Sequence, residues 1–152
     1  MKKIRLFLLL VLIVIISVAA KKILISGVYD WEKIQVQKNN SGEVRNFFSD
    51  PAQTLEKFEI KAVTLYPGKD TKDYLVEKGT DELIIIKEGV AEIRVNDEPK
   101  TLGEGSLLVA FSGDKVTVTN RKNSNTVYYS IRFKPYQSEI QKQTINSVSP
   151  IS

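Results

Sequence analysis

An all-β domain, closed into a barrel or folded as a sandwich, is what this 152-residue chain predicts. Three observations predict it. Valine, isoleucine, threonine, tyrosine and phenylalanine are spread through the middle of the chain, and these residues suit a pleated, half-buried surface. Short apolar or alternating runs recur about every eight to twelve residues, the spacing of consecutive strands. Glycine, proline, asparagine and aspartate fall between the runs, where the chain must reverse. The length suffices for one domain with its own core.

Taken in order, ILIS and KIQVQ are two short apolar stretches flanking Gly27–Trp31, and Asn39-Asn40-Ser41-Gly42 is a turn. Val44 to Phe48 reads as a strand. Ser49-Asp50-Pro51 breaks it, and PAQTLEKF fits one helical turn with Pro51 at a tolerated first position. Phe58 to Tyr66 alternates in part and stops at Pro67-Gly68. Glu82 to Lys87 is a continuous apolar strand, and Gly89 is able to take the positive φ of a tight connection. From Val90 to Val95, Ala91, Ile93 and Val95 alternate with Val90, Glu92 and Arg94. Asn96 to Pro99 turns the chain again. Leu107–Phe111, Lys115–Thr119 and Thr126–Phe133 complete the set.

Composition removes several kinds of function. No cysteine and no histidine is present. Disulfides, thiol catalysis, cysteine zinc sites and any triad built on imidazole are therefore excluded. The net charge is +4, but Lys2, Lys3 and Arg5 lie in a leader without acids, and removing these three charges leaves +1. No basic stripe remains to argue for nucleic acid.

That leader has a basic start followed by fifteen residues, Leu6 to Ala20, that are apolar except for Ser17. A span across a bilayer takes about 20 apolar residues. Val18-Ala19-Ala20 fits signal peptidase cleavage. Residues 1–20 are read as a signal peptide, or else as an anchor in which residues 4–20 hold the chain to the inner membrane. In both cases the basic end stays inside and the rest is exported, to the periplasm or another extracytoplasmic space. The membrane is a partner only through this segment. Residues 21–134 form the barrel domain, and residues 135–152 a polar tail rich in serine and glutamine.

Two spaced patterns make the barrel more specific. Gly68 is followed by KDTKD, then Tyr74, Val76, Glu82 and Gly89. Gly105, Phe111, Gly113, Val116 and Asn120 form the second set. Together they resemble the two motifs of the cupin family, the RmlC-like double-stranded β-helix or jelly-roll barrel, over roughly residues 60–133. Tyr74 and Val76 stand where that family has two histidines, Val116 where it has the third, and Phe111 where it has proline. Glu82 keeps the family's glutamate, though the gap before it is one residue longer than usual. The start Ser26-Gly27-Val28-Tyr29 and Trp31, with Thr64–Gly68 and Ile85–Gly89, resembles exported bacterial single-domain cupins in particular.

The resemblance implies a metal held by three imidazoles and a carboxylate, and this chain lacks all three imidazoles. It is therefore expected to bind no metal and to need no cofactor. Asp70, Asp73, Glu77 and Asp81 are a candidate oxygen set for a hard cation, or simply a solvated loop. The expected function is binding of a small molecule, a sugar or carboxylate, or of a partner protein. Tyr74, Glu82, Phe111, Tyr128 and Arg132 are the candidate ligand-binding residues. Tyr129 and Phe133 are further candidates, but alternation puts Tyr128 and Tyr129 on opposite faces. An arginine facing inward needs an anion, either Glu82 or a ligand carboxylate. The alternative is a metal-independent enzyme of isomerase, lyase or aminohydrolase type, with Glu82 and Tyr74 transferring protons. The resemblance also implies a homodimer, and Ser26–Trp31 is expected to cover a sheet edge within or between subunits.

Overall fold

The computed structural model describes residues 23–136. The leader and most of the C-terminal tail lie outside the described residues, and with them the reading of residues 1–20 as a targeting segment.

The strands are β1 (Val36–Asn39), β2 (Gly42–Asp50), β3 (Leu55–Leu65), β4 (Tyr74–Leu75), β5 (Asp81–Glu88), β6 (Val90–Val95), β7 (Glu98–Gly103), β8 (Leu107–Ala110), β9 (Lys115–Thr119) and β10 (Thr126–Pro135). One sheet has the order β1-β2-β3-β10-β5-β8 and the other β4-β9-β6-β7. Every strand pairing among the described residues is antiparallel. Two antiparallel sheets face each other across one core, which is how a jelly roll buries one face of each strand.

The alternation seen in β6 is realised: Ala91 and Ile93 are buried while Glu92 and Arg94 are turned out. Leu65, Ile84, Ile86, Val116 and Val118 meet them from the other strands to form the core. The two spaced patterns close the barrel. The Gly68 amide donates to the Asn120 carbonyl, and the Asn120 amide donates to Lys69. The buried Asn120 side chain donates from Nδ2 to the carbonyls of Leu65, at 3.0 Å, and Ser124, at 2.8 Å. An asparagine suits this place because its buried amide donates both to the carbonyl that ends β3 and to the loop before β10.

Four expectations are corrected. PAQTLEKF holds no helical turn; the chain bends at Gln53–Thr54 and enters β3 at Leu55. Pairing with both β2 and β10 outweighs the weak helical preference of so short a segment. Ile23–Ser26 forms no strand, and the strand near KIQVQ begins only at Val36. Two strands went unread: β4 has two residues, and β7 carries Pro99, which an edge strand tolerates. Finally, within the chain Tyr29 and Trp31 of this segment pack on a sheet face and not along an edge. The Trp31 ring, at the start of a 3-10 turn (Trp31–Lys33), lies on the outside of the six-stranded sheet against Phe47 and Tyr129. Arg45 Cζ is 4.5 Å and Lys87 Nζ 5.0 Å from its centre.

Candidate ligand-binding cavity

Between the sheets lies a cavity of about 520 Å³. Its inner wall follows from strand parity. On β10, Tyr128, Ser130 and Arg132 point inward, and the antiparallel register places Ser130 beside Lys61 of β3 and Arg132 beside Glu82 of β5. Tyr74 of β4 closes the opposite side, and the Asp70–Lys72 loop and the β1–β2 turn contribute exposed rim residues.

Glu82 is 1% exposed. Its Oε1 accepts from the Ser130 hydroxyl at 2.6 Å, and its Oε2 accepts from Arg132 Nη2 at 3.1 Å. The Arg132 guanidinium also lies over the Tyr74 ring, 5.2 Å from its centre. Burial works against the Arg132 charge, but the Glu82 bond and charge outweigh it and hold the guanidinium above its ordinary value. The anion that an inward arginine requires is therefore Glu82. Burial, and next the Glu82 charge, push the Tyr74 hydroxyl far above the usual phenol range. Tyr74 thus stays protonated and can donate a hydrogen bond; it is a poor base, which weakens the proton-transfer reading of the Glu82–Tyr74 pair. Burial likewise raises Tyr128.

Tyr74, Glu82, Tyr128 and Arg132 are brought together on one cavity. Phe111 is not. It is 60% exposed, following Leu107 and Val109 on the outward parity of β8, while Leu108 and Ala110 turn inward. Its amide donates to Asp114 in the next turn. Tyr129 is on the outer face with Trp31. Among the cavity residues that escaped the sequence reading are Ser130 and Lys61. Both were legible in principle: each lies two residues from an inward residue, Tyr128 or Val63, on its own strand.

The donor set does not fit the metal that this fold often holds. Val76 and Val116 are sealed in the core, at 2% and 0% exposed, and have no donor atoms. Glu82 is already held through both oxygens, and a neutral phenol is a weak ligand. The acids of the 70–81 loop do not converge either. Asp70 accepts from the Lys72 amide, Asp73 from the Thr117 hydroxyl, and Glu77 faces Lys57 at 3.5 Å. Among the described residues no group of three or more potential ligands comes together.

Two facing sheets with this strand order, closed by the two spaced glycine patterns, define the cupin-type double-stranded β-helix. No family model matches the chain, and no curated protein matches its sequence. Solved structures share its architecture. KdgF from Halomonas sp. superposes with a TM-score of 0.62 at 11% identity, over 75% of this chain and 99% of that one. The cupin domain of Cnp3 from Schizosaccharomyces pombe gives 0.62 at 12% identity, over 81% of this chain and 82% of that one. A sugar phosphate isomerase of a cupin superfamily from Silicibacter pomeroyi gives 0.57 at 14% identity, over 74% and 82%. At these identities the likeness is one of fold.

Proposed function

We propose that this chain is an exported cupin domain that works without a metal ion and binds a small molecule, a sugar or a carboxylate, in the cavity between its sheets. The observation that carries the reading is the polar wall formed by Ser130, Glu82, Arg132 and Tyr74 on a cavity of about 520 Å³. Many barrels of this size are filled by side chains. A concavity of this volume, with converging polar groups beside an apolar wall of Val44, Val63, Leu65 and two tyrosine rings, suits a small ligand. Tyr74 and Tyr128 offer ring faces, and Arg132 and the protonated Tyr74 hydroxyl offer donors. The leader of residues 1–20 supports export.

Thermal-shift titration of the full chain against sugars and carboxylic acids tests the binding. A saturable rise in Tm is expected, abolished by Val44→Trp, which fills the cavity from β2. No rise with any compound, or a rise that survives Val44→Trp, sinks the proposal. Elemental analysis of the same preparation tests the second part: stoichiometric iron, manganese, nickel or zinc contradicts it.

A further inference from the structure

We infer that the cavity takes an anionic ligand, and that Lys61, with Arg132, is the residue that receives its carboxylate. The inference rests on the small-molecule reading and narrows it to a ligand class.

Lys61 and Arg132 line the same cavity from neighbouring strands. Arg132 has its counter-ion in Glu82, bonded at 3.1 Å. Lys61 has only a longer ion pair. Its nearest carboxylate is Glu59, at 3.7 Å, too far for a hydrogen bond. Glu59 is also engaged elsewhere: its Oε2 accepts from Ser49 at 2.9 Å and lies 3.9 Å from Lys57. The Arg132 Nε is buried and has no hydrogen-bond partner. Lys61 and Arg132 thus bring two cationic side chains to one cavity wall, where the ammonium has no carboxylate within hydrogen-bonding distance and Glu82 is already bound twice. Burial, and then the Arg132 charge, hold the Lys61 amine below its ordinary value. Glu59 and Glu82 pull the other way. A ligand carboxylate there gains two charge-assisted bonds and relieves the repulsion. Its remaining atoms meet Val63, Tyr128 and the Tyr74 ring. A neutral sugar makes hydrogen bonds in the same space but leaves Lys61 with only its long ion pair to Glu59.

Matched probes test this with the full chain: glucuronate against glucose, and benzoate against benzyl alcohol, followed by calorimetric titration and thermal shift. The acid of at least one pair is expected to bind at least about tenfold more tightly than its neutral partner, the scale of one lost bond to a charged group. Lys61→Gln is expected to remove that preference and Lys61→Arg to retain it, with both variants folded by circular dichroism. Equal binding of acid and neutral partner, or a preference untouched by Lys61→Gln, overturns the inference and leaves the small-molecule reading standing. Binding of none of the four probes, nor of any compound in the wider titration, overturns both. Chloride, sulfate and phosphate controls separate a carboxylate site from a general anion site: inorganic phosphate displacing the acid at equal concentration also overturns the assignment.

Discussion

Glu82 is a buried charge whose two oxygens are both engaged by β10, from Ser130 and Arg132. Removing one partner of such a pair leaves an unpaired charge in the barrel wall, at a cost of roughly 3–5 kcal/mol. Arg132→Met is therefore expected to destabilise the domain by about that amount in urea unfolding. The double variant Glu82→Leu with Arg132→Met should recover most of the loss, because neither charge then remains buried. If the double variant is as unstable as the sum of the singles, the pair does not act as a unit. At this scale much of the site was legible. Glu82 and Tyr74 stand out by their place in the first spaced pattern, and Tyr128 with Arg132 by strand parity. Phe111 misled because its place in the second pattern said nothing of its direction. The parity of β8, with Leu108 and Ala110 inward, had the answer. Lys61 was passed over for a different reason. Both faces of β3 are partly covered, so Phe58, Ile60 and Ala62 look as core-like as Val63 and Leu65.

That double coverage is a property of the elements. β2 carries a bulge between Asn46 and Phe48, where the register with β3 shifts by one residue. The extra residue lets two consecutive phenylalanines serve the outer face: Phe47 packs on Trp31 and Tyr129, and Phe48 on Tyr29 and Phe58. Simple alternation cannot anticipate this, which is why the aromatics of the N-terminal third gave no inward or outward assignment. The short edge strand β7 was hidden by its exposed, proline-containing sequence, whereas β5, β6 and β10 were plain from their apolar pattern. The connections offer a clean test. Gly89 and Gly105 have nearly the same backbone, φ 80° and 77°. A methyl group on Gly105 meets nothing within 4 Å, but on Gly89 it comes to 2.8 Å from the Asn125 carbonyl oxygen. Gly105→Ala is expected to cost about 1 kcal/mol, the left-handed penalty alone. Gly89→Ala should cost roughly 2–3 kcal/mol or more, since the β5–β6 connection must also move away from the chain before β10. Chemical denaturation of the two variants side by side decides it, and equal losses would refute the packing argument.

For the molecule as a whole, charge couples stability to pH. Burial favours the neutral form of Glu59, but the Ser49 bond and the charges of Lys61, Lys57 and Arg132 outweigh it and hold the carboxyl below the ordinary value of 4.5. Glu43, Glu92, Asp97 and Asp114 are lowered too: Glu43 by a bond from Lys38, Glu92 by one from Arg121, Asp97 by one from Lys115, and Asp114 by the Phe111 amide. A carboxyl lowered on folding contributes stability above its unfolded value, and that contribution is lost as the pH falls through the folded value. The Tm should therefore hold steady above pH of about 5 and fall progressively below 4.5. Glu59→Gln should flatten part of that fall; an unchanged profile would remove Glu59 from the account. At this scale the barrel itself was readable from strand spacing and the two spaced glycine patterns. The cavity was not, because whether a small barrel is filled or hollow depends on side-chain directions across strands far apart in sequence. One consequence of the strand that builds this wall remains. β10 turns Tyr128, Ser130 and Arg132 toward the cavity and Tyr129 toward Trp31 on its other side. Trp31 is the single tryptophan of the chain. Its emission is thus a natural optical sensor, seated behind the cavity wall and free of direct contact with any occupant, so a spectral change on filling would register movement of the wall itself.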